Sequence, residues 1–144
     1  MNSLASALVL LLVAAVAVDA VGRTQSASVR GRLTCKGRPA GGLTIKLYDH
    51  DTFTPDDQMA RGVTNGDGSF NIAGHKSELL AVRPDLKIYH RFMQLCVHSD
   101  SSSGHIFTKC HKIRVPADFV SSGKSPSKTY DVGTIALEAV KNNC

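Results

Sequence analysis

Short segments in which apolar and polar residues alternate occupy most of this chain, and clusters of Gly, Pro, Asn, Asp and Ser separate them. In the first clear segment, Val29, Gly31, Leu33 and Cys35 share one face, and the residues between them are polar. Successive side chains of a strand point to opposite sides of a sheet, so a period of two indicates a strand with one buried face. The pattern favours an all-β sandwich over a helical fold.

The same alternation recurs along the chain and predicts the further strands 43–48, 59–64, 70–72, 86–92, 109–115 and 129–137. The sequence Asn-Gly-Asp-Gly at 65–68 predicts a tight hairpin turn. Gly133 stands where the last segment changes phase, which predicts a β-bulge. We therefore expect a single sandwich of seven or eight strands.

The first 18 residues are apolar apart from Asn2, Ser3 and Ser6, and they run into the small-x-small sequence 18–20. This is the pattern of a secretory leader with a signal-peptidase site, and its apolar core is too short to span a membrane. We expect residues 1–20 to be a signal peptide and residues 21–144 to be one β-sandwich domain. The protein is predicted to be secreted to the extracellular space or cell surface, with no transmembrane segment.

The chain is basic, with 17 Lys and Arg against 12 Asp and Glu and a formal charge of +5. Arg30 and Arg32 alternate on one strand face, with Lys36 and Arg38 in the turn beside them. We predict that these four residues bind an anionic ligand, although a solvated outer face explains the same pattern. The chain has three tyrosines, no tryptophan and no nucleic-acid reader motif, so nucleic acid is not expected as a partner.

Four cysteines in an exported chain indicate disulfides. We predict that Cys96 pairs with Cys110, because these two residues bracket one serine-rich loop between predicted strands. Cys35 and Cys144 then pair with each other or stay free, and Cys144 is alternatively placed to link two chains in a homodimer. The pairing of Cys35 and Cys144 stays open at this point.

Six sequence blocks occur in an order that resembles the nematode transthyretin-like family. They are VRGRLTCKGRPA from residue 29, IKLYD from 45, TNGDGSF from 64, LKIYH from 86, Cys110 followed by IRVP from 113, and TYDVGT from 129. The resemblance covers residues 28–138 and implies a transthyretin-type β-sandwich in an extracellular protein without established chemistry for most members. Some relatives are understood to be secreted bridging factors that recognise phosphatidylserine on dying cells.

Two clusters offer metal ligands. Oxygen ligands for calcium occur in two neighbouring loops at Asp49, Asp51, Asp56, Asp57, Asn65 and Asp67. Their spacing is not that of a calcium loop, and turn formation accounts for them.

Zinc ligands occur at Cys96, His98, His105, Cys110 and His111. Disulfide formation is the favoured interpretation of that cluster, so no metal and no cofactor is expected. His90 and His111 are interpreted as satisfied histidines of the core or its rim.

No Gly-x-Ser-x-Gly or His-Glu-x-x-His motif occurs, so we do not expect an enzyme. We expect a secreted binding protein that bridges an anionic ligand, such as a phospholipid, and an extracellular receptor. One alternative is a carrier of a small apolar molecule, which would retain that molecule on purification. Another is a self-associating surface protein, whose Cys144-linked dimer would vanish on reduction. The ligand, the oligomeric state and the tissue are not readable from the chain.

Overall fold

The computed structural model describes residues 3–19, 22–91 and 108–144. A helix, α1 (Ser3–Asp19), precedes the strands. The strands are β1 (Arg23–Cys35), β2 (Arg38–Pro39), β3 (Thr44–Asp49), β4 (Asp57–Val63), β5 (Ser69–Glu78), β6 (Pro84–Arg91), β7 (Thr108–Arg114), β8 (Ser121–Ser122) and β9 (Thr129–Ala136). Within the described ranges, seven of these strands have six or more residues, in agreement with the predicted seven or eight.

The strands form two sheets. The β1 sheet is built around β1, which pairs antiparallel with β5 along one edge and parallel with β9 along the other, while β2 and β8 add short pairings. The β3 sheet has the order β4-β3-β6-β7 and is antiparallel throughout. Two packed sheets confirm the predicted all-β sandwich.

The core lies between the two sheets and is mostly aliphatic. Leu33 of β1, Ile45 and Leu47 of β3, and Leu86 and Ile88 of β6 are at most 1% exposed. Burying one such side chain contributes roughly 1.5–3 kcal/mol to stability. Within residues 29–35 of β1, along β3 and within residues 86–90 of β6, buried and more exposed positions alternate as predicted, so the side chains between the buried ones lie on the outer faces of the sheets.

The predicted bulge in the last strand is confirmed. Arg30 pairs with Asp131 and Arg32 pairs with Thr134, so two residues of β9 oppose Gly31 of β1. Gly133, one of these two, has a φ of 68°, a left-handed conformation that a side chain disfavours. The extra residue of the bulge changes which positions of β9 face the core. The alternation of apolar residues in the sequence therefore changes phase at the same place.

The disulfide of Cys110 differs from the prediction. Cys110 pairs with Cys144, with a Cα–Cα distance of 5.5 Å, so the predicted pairing of Cys96 with Cys110 is wrong. Pairing of Cys35 with Cys144 is wrong for the same reason. Cys35 is also disulfide-bonded, and Cys96 lies outside the described residues. The sulfur of Cys144 is used within the chain and is therefore not available for the predicted link between two chains.

The C-terminal tail explains this pairing, because it lies along the free edge of β7. The Cys110 N–H donates to Asn142 Oδ1 at 3.0 Å, and the Asn143 N–H donates to the Cys110 carbonyl at 3.1 Å. Asn143 also bonds both backbone groups of Lys112 through its side-chain amide. The tail therefore satisfies backbone groups of an edge strand and brings Cys144 within reach of Cys110.

In residues 3–12 of α1, whose side chains the structure describes, the leucines are largely exposed. Leu4, Leu8, Leu10 and Leu11 are between 63% and 84% exposed. Among the described residues, no helix is long and apolar enough to cross a membrane.

Candidate functional site

The predicted binding residues Arg30 and Arg32 lie on the outer face of the β1 sheet and are more than half exposed. Each is paired with a carboxylate, Arg30 Nε with Asp131 at 2.9 Å and Arg32 Nη2 with Asp67 at 3.3 Å. The Gly133 N–H and the Arg30 guanidinium hold the pKa of Asp131 below its ordinary value. The two arginines therefore carry local counter-charges, which reduces their attraction for an external anion.

The same two arginines line an open groove of about 340 Å³ that crosses β5, β1 and β9. Its other walls are Gly31, Ser69, Phe70, Asn71, Asp131, Gly133 and Thr134. Lys36 and Arg38 are exposed in the β1–β2 hairpin and do not line it. The structure thus brings together two of the four predicted binding residues, and their ligand remains a prediction.

The basic residues Lys112 and Arg114 do not contribute to this groove. Lys112 and Arg114 belong to β7, which lies in the β3 sheet, whereas Arg30 and Arg32 belong to the β1 sheet. These cations therefore do not form one patch, because β1 and β7 are strands of different sheets.

A different group of cations meets on the outer face of the β3 sheet. Lys46 of β3 pairs with Arg61 of β4 on one side and with Lys87 of β6 on the other, and Lys87 pairs with Lys112 of β7. Neighbouring strands are about 4.8 Å apart, so the four positions span about 14 Å in one line. We call Arg61, Lys46, Lys87 and Lys112 the cation row. Like charges placed directly opposite one another oppose strand pairing.

Two tyrosines and one aspartate surround the middle of the cation row. Lys87 Nζ lies 4.4 Å from the ring centroid of Tyr48, and Lys46 Nζ lies 5.3 Å from that of Tyr89. Lys87 also donates to Asp56 Oδ2 at 3.0 Å. Burial works against the charge on Lys87, but the bond to Asp56 outweighs it and raises the pKa of Lys87. The same bond lowers the pKa of Asp56.

The remaining cations of the row have no such counter-charge. Among the residues that the structure describes, Arg61, Lys46 and Lys112 form no ion pair with a carboxylate. The row therefore carries an excess of three positive charges along one line of the sheet. Such an excess produces a positive potential that attracts an anion.

The acidic loops come together only in part, around a lysine. Lys76 forms ion pairs with Asp57 and Glu78, and its Nζ lies 3.7 Å from both Asp49 and Asp51. Oxygens of Asp49, Asp51 and Glu78 lie within 4.8 Å of one another, as metal ligands would. Burial opposes the charge on Lys76, but its bonds to Asp57 and Glu78 raise its pKa well above the ordinary value. The ammonium group thus supplies the positive charge that these carboxylates require.

The other predicted oxygen ligands lie elsewhere. Asp56 binds His50 Nδ1 at 3.0 Å as well as Lys87. Asp67 stays in the β4–β5 turn, where its Oδ1 accepts from the Ser69 N–H, and Asn65 donates to the Ser69 hydroxyl. These two contacts are those of a turn, as the sequence predicted.

The Cys and His cluster offers one described cysteine, Cys110, and its sulfur is bonded to Cys144. A disulfide sulfur is not the thiolate that zinc binds. His111 Nδ1 lies 3.3 Å from the Lys141 carbonyl at the tail, which confirms its place at the rim. Cys96, His98 and His105 lie outside the described residues.

His90 of β6 is 2% exposed, and neither ring nitrogen has a hydrogen-bond partner among the described residues. His90 is therefore a core residue, as predicted, but the prediction that its ring is hydrogen-bonded is wrong for the described residues. Burial, followed by the nearby charges of Lys109 and His111, lowers the pKa of His90 below that of a free histidine. The neutral form is the one that the fold accommodates.

This histidine is expected to make the fold sensitive to acid. As pH falls through about 6.5, the unfolded chain takes up a proton at residue 90 that the folded chain resists, so the free energy of unfolding decreases. Replacing His90 with Leu should reduce the loss of stability between pH 7.5 and 5, measured by urea unfolding at both values. The same change at exposed His75 is the control and should leave the loss unchanged. An equal loss in the His90→Leu variant and the native chain would contradict this assignment.

Fold and surface together define a disulfide-linked β-sandwich with a row of four cations on one face, three of which have no carboxylate partner among the described residues. The family model described as TTR-52, transthyretin-like family, matches residues 30–116. The chain belongs to the transthyretin-like family.

Curated relatives extend the match over most of the chain. Transthyretin-like protein 5 of Caenorhabditis elegans is 40% identical over 131 residues, covering 90% of this chain and 88% of the relative. Transthyretin-like protein 2 of the same nematode is 39% identical over 138 residues, covering 89% and 86%. Transthyretin-like protein 46 is 36% identical over 134 residues, covering 92% and 71%. The resemblance stated from the sequence blocks is thereby confirmed.

Proposed function

We propose that this chain is a secreted, non-enzymatic extracellular binding protein that holds an anionic ligand on the cation row. The ligand-bearing protein then engages a second extracellular protein, a receptor, through the rest of its surface. A rigid sandwich suits this role, because its strands hold the cations at set spacings before the ligand arrives.

The observation that supports this proposal is the uncompensated charge of the cation row. Arg61, Lys46 and Lys112 lie in register without a carboxylate partner among the described residues, although direct opposition of like charges costs stability. An anionic ligand would remove that repulsion on binding. By contrast, Arg30 and Arg32 on the other sheet already have carboxylate partners. We therefore propose the cation row, in place of Arg30 and Arg32, as the site of the anionic ligand.

Export is supported by the leader pattern and by the state of α1. Its leucines are exposed to solvent, although they belong to a long apolar run of the sequence. An apolar helix whose described side chains, those of residues 3–12, are largely exposed is consistent with a segment that is removed at secretion. The disulfide between Cys110 and Cys144 suits an oxidising compartment.

Action by binding is supported by the contacts of the histidines. His50 pairs with the carboxylate of Asp56, and His111 lies against a backbone carbonyl. Neither contact joins an imidazole to a hydroxyl or thiol that it would activate as a nucleophile.

The test compares two double variants that remove the same charge from opposite sheets. Arg61→Gln/Lys112→Gln removes both ends of the cation row, and Arg30→Gln/Arg32→Gln is the matched control. Binding is measured at two salt concentrations against anionic vesicles, sulfated glycan and inorganic phosphate. We expect salt-sensitive binding to at least one probe, weakened about tenfold by the row variant and little changed by the control.

Two results would refute the proposal. One is the absence of binding to all three probes at low salt by a correctly folded chain. The other is an equal loss of binding in the two variants, which would make net charge responsible instead of the row.

A further inference from the structure

We propose that the ligand of the cation row is a linear sulfated glycan, laid across the strands of the β3 sheet. This inference rests on the proposed function and names the chemical class of its ligand. It depends on the shape of the row, the twist of the sheet and the neighbours of the row.

The row is a line of charges, not a pocket. Its four positions follow one another at about 4.8 Å across β4, β3, β6 and β7, so Arg61 and Lys112 are about 14 Å apart at the backbone. Cations spaced in this way cannot all converge on one phosphate or carboxylate. They match a ligand that carries several anionic groups at intervals along its own length.

The twist of the sheet favours a flexible chain over a flat surface. Adjacent strands are rotated by roughly 20–25°, so the outward direction turns by about 60–75° from Arg61 to Lys112. A planar bilayer that lies flat against the cation at one end of the row cannot also lie flat against the cation at the other end. A linear polymer can follow the turn and contact every cation.

The neighbours of the row also restrict the ligand. Asp56 is bonded to Lys87 in the middle of the row, so the unpaired cations lie on its two sides, Arg61 and Lys46 on one and Lys112 on the other. The rings of Tyr48 and Tyr89 already have lysine ammonium groups over them, so a nucleic-acid base would have to displace these groups to stack on the same ring faces. Sulfate groups have the strong charge that an ammonium or guanidinium recognises, and sulfated glycans are extracellular polymers.

The experiment measures the affinity of the full chain for heparin oligosaccharides of increasing length, from the disaccharide to the octasaccharide. We expect affinity to rise with length until the oligosaccharide spans the row, and then to level off. In the Arg61→Gln/Lys112→Gln variant this dependence on length should be lost, with about tenfold weaker binding of the octasaccharide and less than about twofold change for the disaccharide. The Arg30→Gln/Arg32→Gln variant should retain the full dependence.

Comparison probes separate this inference from the proposed function. Desulfated heparin of the same length should bind at least about tenfold more weakly than the sulfated form. Salt-sensitive binding to phosphatidylserine vesicles that requires the row, without binding to heparin, would overturn the glycan inference and leave the proposed function standing. Equal or tighter binding of a single-stranded oligonucleotide would overturn it as well. Failure of every probe would refute both. Circular dichroism of each variant verifies the fold.

Discussion

The double variant Cys110→Ser/Cys144→Ser is expected to lose about 3–4 kcal/mol in its free energy of unfolding. The disulfide closes a loop with a sequence separation of 34, and the chain-entropy relation gives this magnitude for such a loop. Replacing both cysteines leaves no unpaired thiol from this bond. Urea unfolding followed by far-ultraviolet circular dichroism should show a midpoint lower by about 2 M.

A control variant separates the bond from the tail's hydrogen bonds. Asn143→Ala removes the amide contacts to Lys112 while keeping the disulfide, and should cost only about 1–2 kcal/mol. A midpoint in the double variant within about 0.5 M of the native value would contradict the role of the Cys110–Cys144 bond.

Replacing Gly68 with Ala is expected to destabilise the fold by at least about 3 kcal/mol. Gly68 has a φ of 80°, where a side chain is strained, and a Cβ there would lie 2.3 Å from the Leu33 carbonyl oxygen. That oxygen accepts from the Ala40 N–H, and the Leu33 N–H donates to the Gly68 carbonyl. The methyl group would therefore separate the turn from β1 and from Ala40, the residue after β2. The atoms that it meets belong to the backbone and cannot rotate away.

Gly66 provides the matched control in the same turn. A Cβ at Gly66 would have no atom within 4 Å, so Gly66→Ala should change stability by less than about 0.5 kcal/mol. Thermal and urea unfolding of the two variants measure the difference. Similar stability of both would show that the Gly68 turn relaxes without cost.

The sandwich was predictable because apolar and polar residues alternate within individual strands, which identifies the buried face from neighbouring residues alone. Val29, Leu33, Ile45 and Leu47 lie at alternate positions of their segments, and all four are buried. The bulge at Gly133 left the same kind of local trace, a change of phase between neighbouring residues. Patterns of this type can be recognised in the sequence without knowing which strands become neighbours.

The disulfide was not predictable by the same means. Cys96 and Cys110 flank one loop, which suggested a local pair, but Asn142 and Asn143 direct the tail along β7 and bring Cys144 to Cys110. Nothing in the alternation indicates where a terminal segment without strand pattern will lie. Pairing of cysteines depends on distances between their Cα atoms, and those follow from the complete fold.

The cation row shows the same division. The alternation predicted the strands that carry Lys46, Arg61, Lys87 and Lys112. Which of these residues stand opposite one another depends on strand order and register, and a shift of one residue would turn one strand's cation toward the core. Local alternation and turns are properties of neighbouring residues and are therefore readable from the chain. The row, the tail and the lysine among the acidic loops arise from contacts between distant segments, which exist only once the two sheets have paired and packed.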